Sequence, residues 1–251
     1  MKNMGSDHSL PDAGLKIALL GPASSPHIQR WANGLAERGC RVTVYTQHFA
    51  ESRGSYEIRR LPFSGNLGYF LNALFLRKML KRDGYDVFHA QYLSGYATTA
   101  RLSGIRPFVV SVWGSDVFSF PKEGALQRRL ITKNLRAAKW VLSTSLVMAT
   151  EIRKYAVGSL DVRITPFGVD SEKFSPGRTG DESIFTVGMI KNLEASCGGD
   201  LLIRAVHHLR NTDKGDSGIR LLIAGDGPER RSYEDLVAHL GISDRVAFLG
   251  R

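Results

Sequence analysis

The chain is short of several things that would announce a function. It has two cysteines in 251 residues, Cys40 and Cys197, far apart and without metal-ligand spacing. An idle or buried thiol in a reducing compartment is the expected reading of each, and neither is given a role. No run approaches the roughly 20 apolar residues that cross a bilayer. The longest candidate, Tyr69 to Leu76, is broken by Asn72 and runs into Arg77 and Lys78. The opening MKNMGSDHSLPDAG lacks an apolar core of signal-peptide length, which predicts a mobile tail over residues 1–14 and a cytoplasmic location. No G-x-G-x-x-G follows the first strand pattern, which disfavours a dinucleotide dehydrogenase. No recognition module stands among the basic residues, which argues against nucleic acid as a partner.

What is present begins with a 43% hydrophobic composition, enough for one large or two modest domains with filled cores. The net charge of +10 is uneven. Residues 1–175 carry 24 Lys and Arg against 13 Asp and Glu, whereas residues 176–251 carry 10 against 11. A basic first part suggests a surface facing phosphates.

Short β-rich runs alternate with helical patterns. Strands are expected at Lys16 to Leu20, Arg41 to Thr46, Tyr56 to Leu61, Asp86 to Ala90, Pro107 to Val112, Trp140 to Ser143 and Val162 to Thr165. Between them, Ile28, Trp31 and Leu35 recur at helical spacing before Gly39, and Leu130, Leu135 and Ala138 do so before the next strand. Such alternation predicts an α/β protein with parallel sheets covered on both faces. FSPGRTGDE, residues 174–182, reads as a linker between a first domain at 15–173 and a second at 183–251. The second shows a strand at Ser183 to Gly188, a helix at Asp200 to Arg210 and a closing segment, so its sheet has fewer strands than a doubly wound fold uses.

In that closing segment, Arg220 to Ala224 is the strand, Gly225 and Gly227 permit a tight turn, and Pro228 fits a first helical position. Backbone N–H groups of such a turn and the helix dipole favour an anion above the strand ends. The helix should bury Tyr233, Leu236, Val237 and Leu240 before Gly241 caps it. A purely structural turn remains an alternative.

Five segments stand in a recognisable order: LKIALLGPASSPHIQRWANGLAERGCRVTVYT at Leu15 to Thr46, DVFHAQYLSG at Asp86 to Gly95, FVVSVWGSDVF at Phe108 to Phe118, ITPFGVDSEKFSP at Ile164 to Pro176, and LLIAGDGPE at Leu221 to Glu229. Together they resemble glycosyltransferase family four over residues 15–251. The resemblance implies the GT-B fold, a pair of Rossmann-like domains with parallel sheets, here with the second domain incomplete. It also implies transfer from a nucleotide-sugar donor to a glycan or lipid-linked acceptor, with retention of anomeric configuration and without a metal or other cofactor.

The same resemblance places acceptor-side binding at Ser24, Ser25 and His27 after the first strand and at Trp113, Gly114 and Asp116 in SVWGSD, and His89, at the end of the fourth strand, lies where open parallel sheets bind ligands and can contact the acceptor. Each has a plainer alternative. Ser25 can simply cap a helix, His89 can be a hydrogen-bonded structural histidine, and Asp116 can be a turn residue. Trp113 stands where many relatives have a histidine. It cannot exchange protons, so it offers either an aromatic wall for a sugar ring or core packing. Gly168, Val169 and Asp170 resemble a family signature and read as a tight turn without a catalytic role. On the donor side the resemblance points to Gly188, Lys191, Gly225, Asp226 and Gly227. Lys191 is the remaining candidate cation, because a second family position falls near Cys197. The paired glutamates of the family would fall beyond Arg251, so the catalytic residues are unassigned and the chain is expected to be inactive alone.

Leu67 to Arg82, LGYFLNALFLRKMLKR, sets Phe70, Leu71, Leu74, Phe75 and Met79 beside Arg77, Lys78, Lys81 and Arg82. This basic amphipathic helix can lie on the anionic inner face of the cell membrane, or it can be a core-facing helix with a solvated end. Two other readings of the whole chain stand beside the transferase. One is a non-catalytic remnant or split subunit that binds acceptor or membrane. The other is a nucleotide-sugar epimerase of the same fold, against which WGSD and GVD argue.

Overall fold

The computed structural model describes residues 14–177, 184–210 and 218–251, apart from residues 49 and 53. Two compact units divide the chain, Met1–Val169 and Asp170–Arg251. The boundary falls ahead of the expected linker because residues 170–174 close a turn on themselves. The Phe174 N–H donates to the Asp170 carbonyl at 2.9 Å, and Asp170 Oδ1 accepts from the N–H groups of Glu172 and Lys173. Most of the expected tail and linker residues 178–182 lie outside the described residues.

The first unit runs β1 (Lys16–Leu20), α1 (Pro26–Ala36), β2 (Arg41–Thr46), β3 (Glu57–Arg60), α2 (Gly65–Asp83), β4 (Val87–Gln91), α3 (Gly95–Ser103), β5 (Val109–Val112), a one-turn α4 (Ser115–Phe118), α5 (Ala125–Ala137), β6 (Trp140–Ser143), α6 (Leu146–Tyr155) and β7 (Val162–Ile164). Its seven strands are all parallel, in the order β3-β2-β1-β4-β5-β6-β7. Strand order therefore reverses between β1 and β4, the point at whose carboxyl side open α/β sheets take ligands. One sheet face packs Leu20, Phe88, Val110 and Val141 under α2, α3, α5 and α6, and the other packs Leu19, Val42 and Val44 under α1. Burial on both faces explains why β1, KIALL, reads as a near-continuous apolar run. Gly39, at φ 82°, takes the chain out of α1, and the Cys40 N–H reaches back to the Leu35 carbonyl.

The second unit contains β8 (Thr186–Ile190), α7 (Gly199–Arg210), β9 (Arg220–Ala224), α8 (Arg230–His239) and β10 (Val246–Gly250), with a parallel sheet in the order β10-β9-β8. β8 starts later than the sequence pattern suggested, because its register is set by β9, from Thr186 opposite Arg220 to Ile190 opposite Ala224. Pro228 does not open α8. It sits in a turn two residues ahead, with Glu229 at the N-cap. Tyr233 and Val237 of α8 are buried against Ile203, Leu221 and Ile223, while Leu236 and Leu240 are partly buried there. Gly241, at φ 65°, takes the C′ position, and the Ile242 N–H donates to the Val237 carbonyl.

Candidate functional site

At the switch point of the first unit, the loop after β1 turns into α1 with Ser25 as N-cap. Its hydroxyl accepts from the His27 N–H at 3.3 Å. Ser24 is exposed beside it. The cap places His27 against the segment that follows β7. Its ring stacks on Phe167 with centroids 4.0 Å apart and meets the edge of Trp113 at 5.3 Å, while Trp113 lies 6.0 Å from Phe167. Arg30, one helical turn on, donates to the Gly168 carbonyl at 3.2 Å. Burial first, and the Arg30 charge second, lower the His27 pKa, so the ring is neutral at pH 7.

Trp113 is half-buried at the end of β5, and its indole N–H is spoken for. It donates to Gln91 Oε1 at 3.0 Å, the Gln91 amide nitrogen lies 3.2 Å from the His89 ring, and His89 Nε2 lies 2.8 Å from Ser111 Oγ. The polar atom of Trp113 is thus anchored inward, as the packing alternative for this residue requires. Tyr92, immediately after β4, meets Trp113 edge-on at 6.0 Å and hydrogen-bonds Ser115. It is the single non-glycine residue with positive φ, at 85°, among the described residues. A left-handed tyrosine costs on the order of 1–3 kcal/mol, and such strain gathers at functional loops.

Two acceptor-side expectations need correcting. His89 is the third of five residues in β4 and not its end, and it is buried between Trp31, Gln91 and Ser111. Burial pushes its pKa down to about 4. It is a neutral structural group that steadies Gln91 and, through it, Trp113. Asp116 has no exposed surface. Its carboxylate accepts the backbone N–H groups of Leu93 at 2.8 Å, Trp113 at 3.1 Å and Gly114 at 2.8 Å, fastening the loop after β4 to the loop after β5. Burial raises its pKa and the three N–H groups work against that rise. With its oxygens turned to backbone, Asp116 shapes the site and is not placed to grip acceptor hydroxyls. Gly114, at φ 130°, lets the chain make that turn.

In the second unit, Gly225 and Gly227 follow β9. A Cβ on Gly225 would fall 1.9 Å from the Lys191 carbonyl oxygen, and one on Gly227 would fall 2.4 Å from that of Leu193. The glycines thus let the loops after β8 and β9 touch backbone to backbone, which is the structural alternative for this turn. Their N–H groups are engaged, Gly225 with the Gly250 carbonyl at 2.7 Å and Gly227 with Asp226 Oδ1 at 2.9 Å. They do not point at an anion as expected. Lys191 is exposed just past β8, and Gly188 is exposed within it with open space around its Cα. Gly198 and Gly199, where α7 begins, are glycines that residue pattern alone does not single out. Gly198 has φ 71° with no atom near a would-be Cβ, whereas Gly199 lies against the Tyr233 ring. Residue pattern alone does not single out Phe167, Tyr92 or Gln91 either. Positive φ at Tyr92 and the His27–Phe167 stack, 140 positions apart in sequence, leave no local signal.

On the remaining expected surface, α2 buries Gly68, Asn72, Ala73, Leu76 and Leu80. Leu67 and Leu74 are 73% and 72% exposed, with Phe63, Phe70, Leu71 and Phe75 exposed around them. The helix has a core face and a second, uncovered apolar face. Arg77, Lys78, Lys81 and Arg82 follow along the same helix. Helix α5, which packs on the α3 that α2 also packs on, exposes Arg128, Arg129, Lys133 and Arg136 and carries no acidic residue.

Two α/β units with parallel sheets, the first with an aromatic and polar cluster at its switch point, define the nucleotide-fold class of GT-B architecture. The chain belongs to the glycosyl transferase 4-like family, whose model matches residues 16–145, and residues 170–251 match the glycosyl transferases group 1 model. A D-inositol 3-phosphate glycosyltransferase of Stackebrandtia nassauensis is 27% identical over 89% of this chain and 60% of its own length. One of Nocardia farcinica is 26% identical over 89% and 58%. The chain therefore spans about 60% of the length of the curated relatives it matches. Among solved structures, Anabaena Alr3699/HepE in complex with UDP and glucose superposes with a TM-score of 0.69 at 19% identity, covering 94% of this chain and 69% of that one. A glycosyltransferase from Rickettsia africae gives 0.71 at 16% identity, covering 95% and 68%.

Proposed function

We propose that the chain forms the acceptor-side domain and the first part of the donor-side domain of a retaining, metal-independent glycosyltransferase that uses a nucleotide-sugar. The observation that carries this reading is the arc of Ser24, Ser25, His27, Tyr92 and Trp113 at the β1/β4 switch point, in a chain of the glycosyl transferase 4-like family. Trp113 and His27 offer apolar ring surface for the carbons of a sugar, and the exposed Ser24 offers a hydroxyl beside it. UDP in the HepE neighbour supports a nucleoside diphosphate as the leaving group. Lys191 and the amino end of α7 at Gly199 would meet its charge, since a metal-free leaving group needs fixed positive partners. With about 60% of the relatives' length, this chain by itself is proposed to turn over negligibly.

The acceptor is proposed to be a glycan or lipid-linked compound, met at the membrane. Support for the membrane comes from the uncovered apolar face of α2 with its following cations, the arrangement of a helix that lies in a charged interface. No helix among the described residues is long and apolar enough to cross a membrane. A cytoplasmic location, at the inner face, belongs to the same proposal.

The test is release of nucleotide from UDP-, GDP- and ADP-sugars by the full open reading frame that contains this chain, offered simple glycan and polyol acceptors. Turnover that falls at least tenfold in Trp113→Ala, without loss of folding, supports the reading. A full-length protein that releases no nucleotide from any of the three overturns it. Rapid transfer by residues 1–251 alone would sink the incompleteness part.

A further inference from the structure

At the carboxyl end of β2 a polar cluster stands apart from the residues placed above. Thr46 closes the strand, and its hydroxyl accepts two backbone N–H groups, from Ala23 at 3.2 Å and from His48 at 3.0 Å. A hydroxyl has two acceptor lone pairs and one proton. Both lone pairs are taken, so Thr46 can only donate, either to the His48 carbonyl at 3.1 Å or to the Tyr96 hydroxyl at 3.2 Å. Tyr96 in turn accepts the Gln47 N–H at 3.3 Å and has its own proton to place. Thr46 cannot take it, which leaves Nδ1 of His48, 2.7 Å away. An imidazole that accepts on Nδ1 carries its proton on Nε2.

The ionisation states agree with this assignment. Burial lowers the His48 pKa and so keeps the ring neutral, while burial raises that of the Tyr96 phenol and so keeps its proton. His48 is exposed, and its Nε2 has no partner among the described residues. Tyr69 of α2 stands beside it, with ring centroids 6.2 Å apart, and meets Tyr96 edge-on at 5.3 Å. Gly95 makes room for this, since a Cβ there would fall 2.4 Å from the Tyr69 ring. The hydrogen bonds thus converge on one fixed, neutral N–H donor at the ligand edge of the sheet.

We propose that His48 Nε2–H, pinned by Tyr96 and walled by Tyr69, is an oxygen-recognising subsite for the polyhydroxylated head of the acceptor. The proposal rests on the acceptor-side reading of the first unit. His48 acts here as a hydrogen-bond donor and not as a base, because one ring nitrogen is committed to Tyr96 and the other holds the proton.

Long-range proton–nitrogen correlation on 15N-histidine-labelled protein at pH 7 reads the tautomer directly, and the expected result is a neutral ring protonated on Nε2. Tyr96→Phe removes the pinning proton and should give mixed tautomers. Titration with D-inositol 3-phosphate, the compound in the relatives' names, without nucleotide should move the His48 Nε2–H signal. His48→Ala should weaken that binding about tenfold, as loss of one hydrogen bond does. His48→Gln, whose amide N–H can occupy the Nε2 position, should stay within about threefold of the native protein. A ring protonated on Nδ1, an imidazolium at pH 7, a silent His48 signal, or His48→Ala binding like the native protein would each overturn the proposal. No nucleotide or turnover enters these measurements, so an absence of sugar transfer leaves their outcome untouched.

Discussion

At the scale of single residues, the site is governed by groups whose polar atoms point away from it. Asp116 is the clearest, a carboxylate with no exposed surface that accepts three backbone N–H groups from two loops. Asp116→Ala strands all three donors in a buried place, and each unsatisfied buried group costs about 1–3 kcal/mol. The expected loss in urea unfolding is on the order of 3 kcal/mol, and a loss below about 0.5 kcal/mol would show the loops to be held by something else. His89 gives a pH signature. Its folded pKa of about 4 lies below its ordinary value of 6.5, so between the two the unfolded chain binds more protons and stability rises with pH. The contribution is complete above about pH 6.5 and is lost as pH falls toward 4, an effect on the order of 3 kcal/mol. Subtracting the pH profile of His89→Gln from that of the native protein isolates this slope, and parallel profiles would contradict the neutral buried ring.

At the scale of elements, periodicity made the first unit legible and long-range contacts made the site obscure. β1, β2 and β6 have the ends that their apolar runs marked, and α1 has the Ser25 cap and the Gly39 exit that residue type suggested. β8 was misplaced because its register depends on β9, some thirty residues on, and Pro228 was misread because a tight turn and a helix start favour the same residue types. The site depends on meetings such as His27 with Phe167 and Asp116 with Leu93, which no window of sequence contains. The glycine turn shows why residue type can mislead. Gly225 and Gly227 look like a phosphate loop, yet the backbone of residues 191 and 193 fills the space beside them. Gly227→Ala is therefore expected to lower the melting temperature of the second unit by several degrees, since its Cβ must displace the Leu193 backbone. Calorimetry that resolves the two units would check this, and an unchanged second transition would restore the phosphate reading. α2 makes a separate prediction. The chain should bind phosphatidylglycerol vesicles and release them as salt shortens electrostatic reach. Replacing Arg77, Lys78, Lys81 and Arg82 with serine should abolish cosedimentation, and Phe70→Ser with Leu74→Ser should weaken it at every salt concentration. Vesicle binding that survives both sets of changes would remove α2 from the membrane.

At the scale of the whole molecule, the two units differ in how fully they cover themselves. Seven strands and helices on both faces bury the sheet of the first unit, whereas among the described residues β8 pairs on one side only, with β9. Phe185 is 70% exposed just ahead of β8 and Ile190 is 88% exposed at its end. An unpaired strand edge presents free N–H and C=O groups, and exposed apolar side chains beside it give a pairing partner something to bury. Residues 1–251 studied alone should therefore associate as concentration rises, through β8 of two copies. The first unit's edge strand β3 differs, because its Glu57, Arg59 and Arg60 place charge along the edge and discourage the same pairing. Sedimentation velocity over a range of concentrations would show a rising weight-average mass for the native chain, and Phe185→Lys with Ile190→Lys should return it to monomer. If the doubly substituted chain associates as strongly as the native one, the contact lies elsewhere, and α2, with its uncovered leucines and phenylalanines, becomes the surface to alter next. If the native chain stays monomeric at the highest concentration reached, the edge of β8 is protected in solution and this account of the second unit is wrong.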